Sequence, residues 1–212
     1  MPRAFAELAF TPRVRAEQER HGSAASYGKF LAGDVRQGDR LGQNEADFLR
    51  ARDGFYQATV SSSGWPYVQF RGGAPGFLKV LDEHTLAYAD FRGNRQYLSV
   101  GNLRDNDRIA LIAIDYANSR RLKLWGRVRL VEADEDPALM AQLHDPDYPA
   151  EAERAFVIHV EAVDWNCRQH IPERLSAEEW GARHGALQDE LHLLRVENAR
   201  LQARLNERVS TA

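Results

Sequence analysis

The side chains with the clearest capacity for chemistry are basic residues that alternate with apolar ones in residues 120–131. Odd positions carry Arg121, Lys123, Arg127 and Arg129 together with Trp125, whereas even positions from 122 onward are Leu, Gly or Val. Neighbouring side chains of a β-strand point to opposite faces, so the pattern predicts a strand with one basic and one buried face. Four like charges on one face repel, and solvent, acidic neighbours or a bound anion could compensate them. A solvated outer face fits the pattern as well as a ligand site does.

A second candidate is the segment ADFRGNRQYLSVGN (residues 89–102), which favours a strand end, a turn at Gly93 and a short helix. Asn94 suits the N-cap position of that helix. Free N–H groups and positive potential at a helix N-terminus attract phosphate, and Arg92, Arg95 and Gln96 would add donors. A turn followed by a helix with two arginines is common, so this pattern alone is a weak indication of a phosphate site.

Two further segments keep a functional and a structural interpretation open. The glycines of FRGGAPGFLK (residues 70–79) could let the backbone approach a planar ligand, or could form a mobile hairpin loop. In WNCRQHIPER (residues 165–174), His170 could contact a ligand or move protons, although a structural histidine is the more common case. Cys167 is expected to be a small core residue. The seven histidines are scattered, so we expect no metal site.

The elements that must position these residues are mostly strands. Strand signals occupy much of residues 54–166, with short helices expected at 94–104 and 136–143. Closely spaced strands without a βαβ rhythm predict a mainly β fold, a six- to seven-stranded antiparallel barrel. We expect a helical N-terminal extension over residues 1–52 and a ligand-binding barrel over residues 53–172.

Residues 173–212 are predicted to form a long C-terminal helix with a coiled-coil pattern. Leu187, Leu194 and Leu201 fall at heptad position d, and Leu191 and Leu205 at a, with Asn198 at the a position between them. A lone Asn at a position a fixes the register of a parallel two-stranded coiled coil. The alternative is an amphipathic helix packed on its own barrel, but the stripe is narrower than most core-facing helices show.

The composition of the chain limits which partners and which cellular compartment we expect. A formal net charge of −3 gives no general attraction to nucleic acid or to anionic membranes. One cysteine allows no intrachain disulfide, and the first 20 residues lack the apolar core of a signal peptide. We therefore expect a cytoplasmic protein with no nucleic-acid partner and no membrane association.

Four stretches, taken in order, resemble the FMN-binding split-barrel family related to pyridoxamine 5′-phosphate oxidase. They are RDGFYQATVSSSGWPYVQFRGGAPGFLKVLD, LAYADFRGNRQYLSVGNLRDNDRIALIAIDY, LKLWGRVRLVE and DWNCRQHIP. The resemblance covers roughly residues 44–172 and is greatest to a bacterial flavin-nucleotide-binding subgroup. It implies an antiparallel split barrel that forms a homodimer, with FMN held in clefts made by both chains.

The resemblance also implies a set of cofactor-binding residues. Phosphate contacts would come from Asp90, Phe91, Asn94, Arg95 and Gln96. The oxidases have Arg-Lys where this chain has Arg95-Gln96, so one positive charge is missing, and Arg92 could compensate. The remaining implied FMN contacts are Arg71, Gly76, Phe77, Leu78, Lys79, Arg121, Lys123, Trp165 and His170. Of these, Arg121 or Lys123 would stabilise a reduced anionic flavin, and Trp165 and His170 would reach the flavin from the partner chain.

The implied activity is that of an FMN-dependent oxidoreductase, with a nicotinamide nucleotide or another small molecule as electron donor. No catalytic residue is assigned, because the redox chemistry belongs to the cofactor. Residues 173–212 lack the Arg-x-His substrate motif that the true oxidases carry near an end strand, so vitamin B6 oxidation is not the leading interpretation. Alternatives are a deazaflavin or haem on the same fold, or a non-enzymatic sensor or scaffold. A basic-zipper DNA binder is disfavoured because the residues that precede the heptads are acidic.

Overall fold

The computed structural model describes residues 3–33, 36–165 and 168–210, with side chains up to residue 206. The chain divides into two units, one comprising residues 1–115 and 120–169 and the other residues 116–119 and 170–212. Cys167, predicted to be a core residue, lies outside the described residues. The elements in chain order are α1 (Ala4–Ala9), α2 (Pro12–Arg20), α3 (Ala24–Gly28), α4 (Gln43–Arg50), β1 (Gly54–Val60), β2 (Pro66–Gly72), β3 (Lys79–Asp82), β4 (Thr85–Phe91), α5 (Leu98–Asp105), β5 (Arg108–Asp115), β6 (Arg120–Glu132), α6 (Pro137–Leu143), β7 (Ala152–Trp165) and α7 (Ala177–Ser210).

The first unit is built on a seven-stranded sheet with the strand order β2-β1-β5-β6-β7-β4-β3, in which every pairing is antiparallel. Three strands separate β1 from β4 in this order, yet the rings of Phe55 on β1 and Tyr88 on β4 lie 5.3 Å apart. The sheet therefore curves back on itself and encloses its own core. The predicted mainly β split barrel, with a helical extension before it and a long helix after it, is confirmed.

Side-chain alternation decides which face of each strand enters the core. On β6 the even positions from Leu122 to Val128 are buried, as predicted, while the basic odd positions are partly exposed. The alternation slips beyond Arg129, where Leu130 is half-buried and Val131 is buried. The pairing register with β7 also shifts between Trp125 and Gly126. A side chain at Gly126 would clash with the carbonyl oxygen of His159, so only glycine fits this bulge.

The N-terminal extension covers part of the basic face of β6. The ring of Phe5 in α1 lies 4.8 Å from that of Trp125, and the ammonium of Lys123 lies 4.2 Å from the Phe5 centroid. Lys123 also pairs with Asp164 at 3.0 Å, and Arg127 pairs with Asp107 at 2.9 Å and with Glu161 at 2.6 Å. Of the three modes of compensation that the sequence leaves open, acidic neighbours therefore balance two of the four cations.

The second unit is dominated by α7, which begins at Ala177. The leucines of its predicted a/d stripe are exposed, and among the described residues none of them enters the core clusters of the protein. None of the helices in the described part of the chain combines the length and the apolar character needed to traverse a lipid bilayer.

A buried hydrogen bond ties β4 to β1 across the barrel. The Tyr88 hydroxyl donates to Oε1 of Gln57, and both side chains are 1% exposed. Burial raises the pKa of the Tyr88 phenol far above its usual value, an effect that the nearby Arg71 charge only partly opposes. The phenol therefore stays protonated in the fold at pH values where it would ionise in the unfolded chain.

Replacing this phenol tests the pH dependence of the fold. At pH 7, Tyr88→Phe should lower the free energy of unfolding by about 1–3 kcal/mol, because Gln57 loses its buried donor. The raised pKa of the Tyr88 phenol in the folded state stabilises the fold. This stabilisation is complete below the unfolded-state pKa of about 10, and above that pH it falls by up to about 1.4 kcal/mol per pH unit. Urea unfolding should therefore show the gap between wild type and Tyr88→Phe narrowing from pH 10 to pH 11. At pH 7 the exposed-site control Tyr27→Phe should be near neutral. A free-energy gap between wild type and Tyr88→Phe that stays constant up to pH 11 would contradict the assignment.

Candidate functional site

A cavity opens between the edge strand β2, the end of β4 and the start of α5. We call it the α5 cavity. Its walls come from the inner face of β2, the last residues of β4, the turn before α5, the first turn of α5 and one residue of β7. The lining residues are Tyr67, Gln69, Arg71, Asp90, Phe91, Gly93, Asn94, Arg95, Gln96, Tyr97, Leu98, Ser99, Val100 and Glu153.

The floor of the α5 cavity is a carboxylate held between two guanidinium groups. Asp90 accepts from Arg71 on one oxygen and from Arg154 on the other, both at 2.7 Å. The Asp90 side chain is 6% exposed, so this network is largely shielded from solvent. Burial acts to lower the pKa of Arg154, but its hydrogen bonds to Asp90 and Glu132 outweigh that effect and raise it. Through Asp90, the two arginines join β2, β4 and β7.

Arg71 has capacity for a further acceptor. Its Nη1 is engaged by Asp90, but its Nε is buried without a hydrogen-bond partner among the described residues. A buried guanidinium N–H that lacks an acceptor is costly. The structure thus contains a buried donor without a protein acceptor on a side chain that also lines the α5 cavity.

The turn before α5 adopts a strained backbone. Arg95 has φ 61° and Tyr97 has φ 52°, both in the left-handed region that residues with a β-carbon seldom occupy. The side chain of Asn94 accepts a hydrogen bond from the Gln96 N–H at 3.2 Å, which closes the turn locally. The prediction that Asn94 caps the helix was wrong, because its oxygen is used within the turn and α5 begins at Leu98 with Tyr97 at the N-cap.

A chain of buried polar side chains fixes α5 against the barrel. Beyond the Tyr88 bond, Gln57 donates to Ser99 at 3.1 Å, and Ser99 in turn donates to Gln69 at 3.0 Å. Asn102 adds a bond to Thr59 at 2.9 Å. The chain runs from the core to the cavity wall, so the first turn of α5 is held in one position. The backbone N–H groups of this turn lack intrahelical acceptors and border the cavity.

The α5 cavity combines guanidinium groups with carboxylates. The guanidinium groups of Arg71, Arg95 and Arg154 face or support it, and the carboxylates of Asp90, Glu132 and Glu153 lie beside them. Glu153 is already engaged by the Tyr97 hydroxyl at 3.0 Å. The Arg95 side chain is exposed, and hydrogen bonding to Tyr97 raises the pKa of its guanidinium. Donors, guanidinium groups and a helix N-terminus therefore converge, which is the composition of a phosphate site.

Six residues that the sequence predicted as phosphate or cofactor contacts meet here: Arg71, Asp90, Phe91, Asn94, Arg95 and Gln96. Arg92, considered as a replacement for the missing lysine, pairs instead with Glu151 at 2.9 Å. No group of three or more His, Cys, Asp or Glu side chains suited to a metal ion occurs in the described part of the chain.

The remaining predicted contacts lie elsewhere. Phe77 is a core residue whose ring stacks on Phe55 at 5.6 Å, preceded by Gly76 with φ 86°. Lys79 begins β3 opposite Ala87. None of these three lines the α5 cavity. Their contacts to a flavin remain predictions.

Two of the four predicted flavin-ring contacts, Trp165 and Lys123, are engaged by other parts of the first unit. The Trp165 indole donates to Glu45 of α4 at 2.6 Å and packs edge-on against Phe48 at 4.8 Å. Lys123 is held by Asp164 and Phe5, as described above. Arg121 is half-buried, and its Nε has no hydrogen-bond partner among the described residues. His170 is exposed, has φ 62° and belongs to the second unit.

The sequence missed several members of the site. The alternation of side chains on β2 places Tyr67 and Gln69 on the same face as Arg71. That pattern could have identified both residues as members of the site. Arg154 and Glu153 carry no such signal, because they reach the site only through the pairing of β7 with β4. Whether Ser99 and Tyr97 lie at the site depends on the residue at which α5 begins.

Comparison with known proteins gives a family match. The family model described as pyridoxamine 5′-phosphate oxidase matches residues 41–167, well over half of the chain. A search of curated proteins found no significant match. Among solved structures, the chain is similar to a protein related to general stress protein 26, of the pyridoxinephosphate oxidase family, from Clostridium acetobutylicum. The two share 16% identity over 64% of this chain and 94% of that one, with a TM-score of 0.45. It is also similar to an FMN-binding protein from Syntrophomonas wolfei (12% identity, 57% and 86% covered, TM-score 0.44) and to an F420 reductase (22% identity, 58% and 98% covered, TM-score 0.44).

Proposed function

Because the chain belongs to the pyridoxamine 5′-phosphate oxidase family, we propose that it binds FMN with its phosphate in the α5 cavity and acts as a cytoplasmic oxidoreductase. The observation that carries the proposal is the buried Arg71 Nε without an acceptor, beside a helix N-terminus and Arg95. When bound, FMN would supply the electron transfer. The protein would bind and orient it.

The donor set of the α5 cavity matches a phosphate dianion. Arg71 offers its free Nε, Arg95 offers an exposed guanidinium, and the first turn of α5 offers backbone N–H groups. Asp90 does not compete as an acceptor, because Arg71 and Arg154 already occupy both of its oxygens. Gln96 contributes an amide where the oxidases have a lysine, and its amide retains a donor without the charge.

The substrate is proposed to differ from vitamin B6. Residues 173–212 contain α7 in place of an element with the Arg-x-His substrate motif. The electron donor is proposed to be a nicotinamide nucleotide. The flavin ring would extend beyond the α5 cavity, with Arg121, Lys123, Trp165 and His170 remaining the candidate contacts, the last two from a second copy.

The second copy is proposed to bind at the outer face of β1, β2 and β5. Apolar side chains on this face stand in cross-strand rows, with Phe70 opposite Tyr56 and Tyr56 opposite Ile112. Val68 and Phe70 are 61% and 58% exposed, and Trp65 beside them is 77% exposed. Contiguous apolar surface of this kind marks a protein interface more often than a solvated face. A homodimer through this sheet fits the expected assembly of the family.

The phosphate assignment is tested by flavin titration. Arg95→Ala should weaken FMN binding about tenfold or more, the effect of one lost charge-assisted hydrogen bond. Arg40→Ala, an exposed arginine paired with Glu83 away from the α5 cavity, is the matched control and should leave the affinity unchanged. Fluorescence quenching measures both affinities, and parallel titrations with a deazaflavin and with haem establish the ligand. Equal affinities for FMN in the two variants would refute the site, and selective uptake of haem or of the deazaflavin would refute FMN as the cofactor.

The enzymatic assignment is tested by anaerobic stopped-flow mixing of the FMN-loaded protein with NADH or NADPH. The flavin absorbance near 450 nm, characteristic of oxidised flavin, should bleach at a rate that saturates with one of the two nucleotides. Free FMN at the same concentration is the control for direct reduction. A flavin that neither nucleotide reduces faster than the control would favour a sensor or scaffold role.

The homodimer is tested in a chain that ends at residue 175, so that α7 cannot hold two copies together. This shortened protein should sediment as a dimer, because the proposed β-sheet interface remains. In the same background Val68→Glu should yield a monomer, since a charge in the middle of an apolar interface is strongly unfavourable. The matched control is Val14→Glu on α2, a half-exposed valine away from this face, which should remain dimeric. A Val68→Glu protein that is folded and still dimeric would place the interface elsewhere.

A further inference from the structure

α7 presents a continuous apolar seam to solvent. The helix has 34 residues, far longer than the other helices described, and its leucines at 187 and 205 are 64% and 62% exposed. An isolated helix with an exposed leucine stripe gains little from propensity alone, because most helix stability comes from packing such a stripe. The seam therefore requires a partner for its stability.

The seam has the spacing of a coiled coil from Leu187 to Leu205. Positions a and d are occupied by Leu187, Leu191, Leu194, Asn198, Leu201 and Leu205. From the first to the last of these residues the helix rises about 27 Å. Two other exposed apolar residues, Leu193 and Val196, lie outside the seam at positions c and f. The apolar surface of α7 thus contains both seam and non-seam leucines, which makes the two experimentally separable.

Asn198 identifies the partner as a second copy in parallel register. In a parallel, in-register pair position a faces position a of the other helix, so the two Asn198 amides can hydrogen-bond to each other. Any other apolar helix would leave this amide facing an aliphatic side chain without a partner, which is unfavourable. A second copy of the same helix satisfies the amide automatically.

The flanking charges point to the same arrangement. Glu190 lies at position g and Arg195 at the following e, so a parallel pair would bring the Glu190 carboxylate of each helix beside the Arg195 guanidinium of the other. The antiparallel register that best aligns the leucines would place Leu187 opposite Leu205 and Leu194 opposite Asn198. It would also bring Arg195 near Arg195 and Glu197 near Glu197, so each flank would contain a repulsive pair that the parallel form lacks, although Glu190 would also approach Arg204. The pairing of the two Asn198 amides and the flanking charges therefore both favour the parallel form.

We propose that α7 is a second, separate self-association element, which forms a parallel, in-register two-stranded coiled coil with α7 of another copy of this chain. It stands on residues that share nothing with the α5 cavity, so its success or failure is independent of flavin binding. The glutamate-arginine pairs set orientation, and the paired asparagines set register.

Disulfide trapping in the full-length chain tests the proposal. With Cys167 replaced by serine, single substitutions Leu187→Cys and Leu205→Cys place one thiol near each end of the seam, and Leu193→Cys places one outside it. A disulfide needs Cα atoms within about 7 Å, which facing seam positions satisfy and outward-facing positions do not. In a glutathione redox buffer, Leu187→Cys and Leu205→Cys should each form covalent dimer about tenfold more than Leu193→Cys, because only they gain a high effective concentration. Non-reducing electrophoresis measures the dimer fraction.

The same variants give outcomes that would overturn the proposal. Cross-linking of a mixture of the Leu187→Cys and Leu205→Cys chains, without cross-linking of either alone, would show an antiparallel pair. Equal cross-linking at Leu193 and at the seam, or cross-linking at no position, would show that α7 does not pair through this stripe. Retained circular dichroism of the first unit and of α7 in each variant excludes unfolding as the cause.

A charge exchange supplies the second measurement. In the Leu187→Cys chain, Glu190→Arg should lower the yield of covalent dimer about twofold, because two favourable pairs become repulsive. Adding Arg195→Glu should restore it. Failure of the double variant to recover would contradict the parallel alignment.

Discussion

The structure of the first unit depends on one buried carboxylate between two guanidinium groups. Asp90 on β4 receives Arg71 from the edge strand β2 and Arg154 from the neighbouring strand β7, so a single side chain ties β2 to two strands that lie far from it in the sheet order. Two cations would repel strongly at this separation without it. Removing one member of a buried ionic network costs about 3–5 kcal/mol, since the other charges lose their compensation. The closure of the barrel and the charge of the α5 cavity thus have the same origin.

A second constraint places the helix end beside that cluster. The hydrogen-bonded series from Tyr88 through Gln57 and Ser99 to Gln69 passes from the core to the cavity wall without a break. Each polar side chain in it is buried or half-buried, and each would be costly if it lost its partner. The first turn of α5 therefore cannot shift along β1 without breaking several bonds. The hydrogen bonds of the core, rather than the turn before α5, therefore fix where the backbone N–H groups at the start of α5 lie.

The sequence predicted what depends on local pattern and missed what depends on distant pairing. Alternation correctly gave the buried face of β6 up to Val128. The structure brings Arg71 and Asp90 to one cavity with the turn before α5, and the FMN contacts that the family resemblance implies for them remain predictions. The helix start was misplaced because the Asn94 side chain has two possible uses, a cap or a turn, and only the fold decides between them. Arg154 reaches Asp90 from 64 residues away, and no local signal foretells that contact.

The left-handed conformations of Arg95 and Tyr97 have a consequence for recognition. Neither residue is glycine, so the tertiary structure must hold the turn in a shape that an isolated peptide would rarely visit. The conformational entropy of the turn is therefore lost when the chain folds and not when a ligand arrives. For any ligand that contacts the turn, such preorganisation would leave more of the interaction free energy available for affinity, and the rigidity of the turn would restrict the shapes of the ligands that fit it.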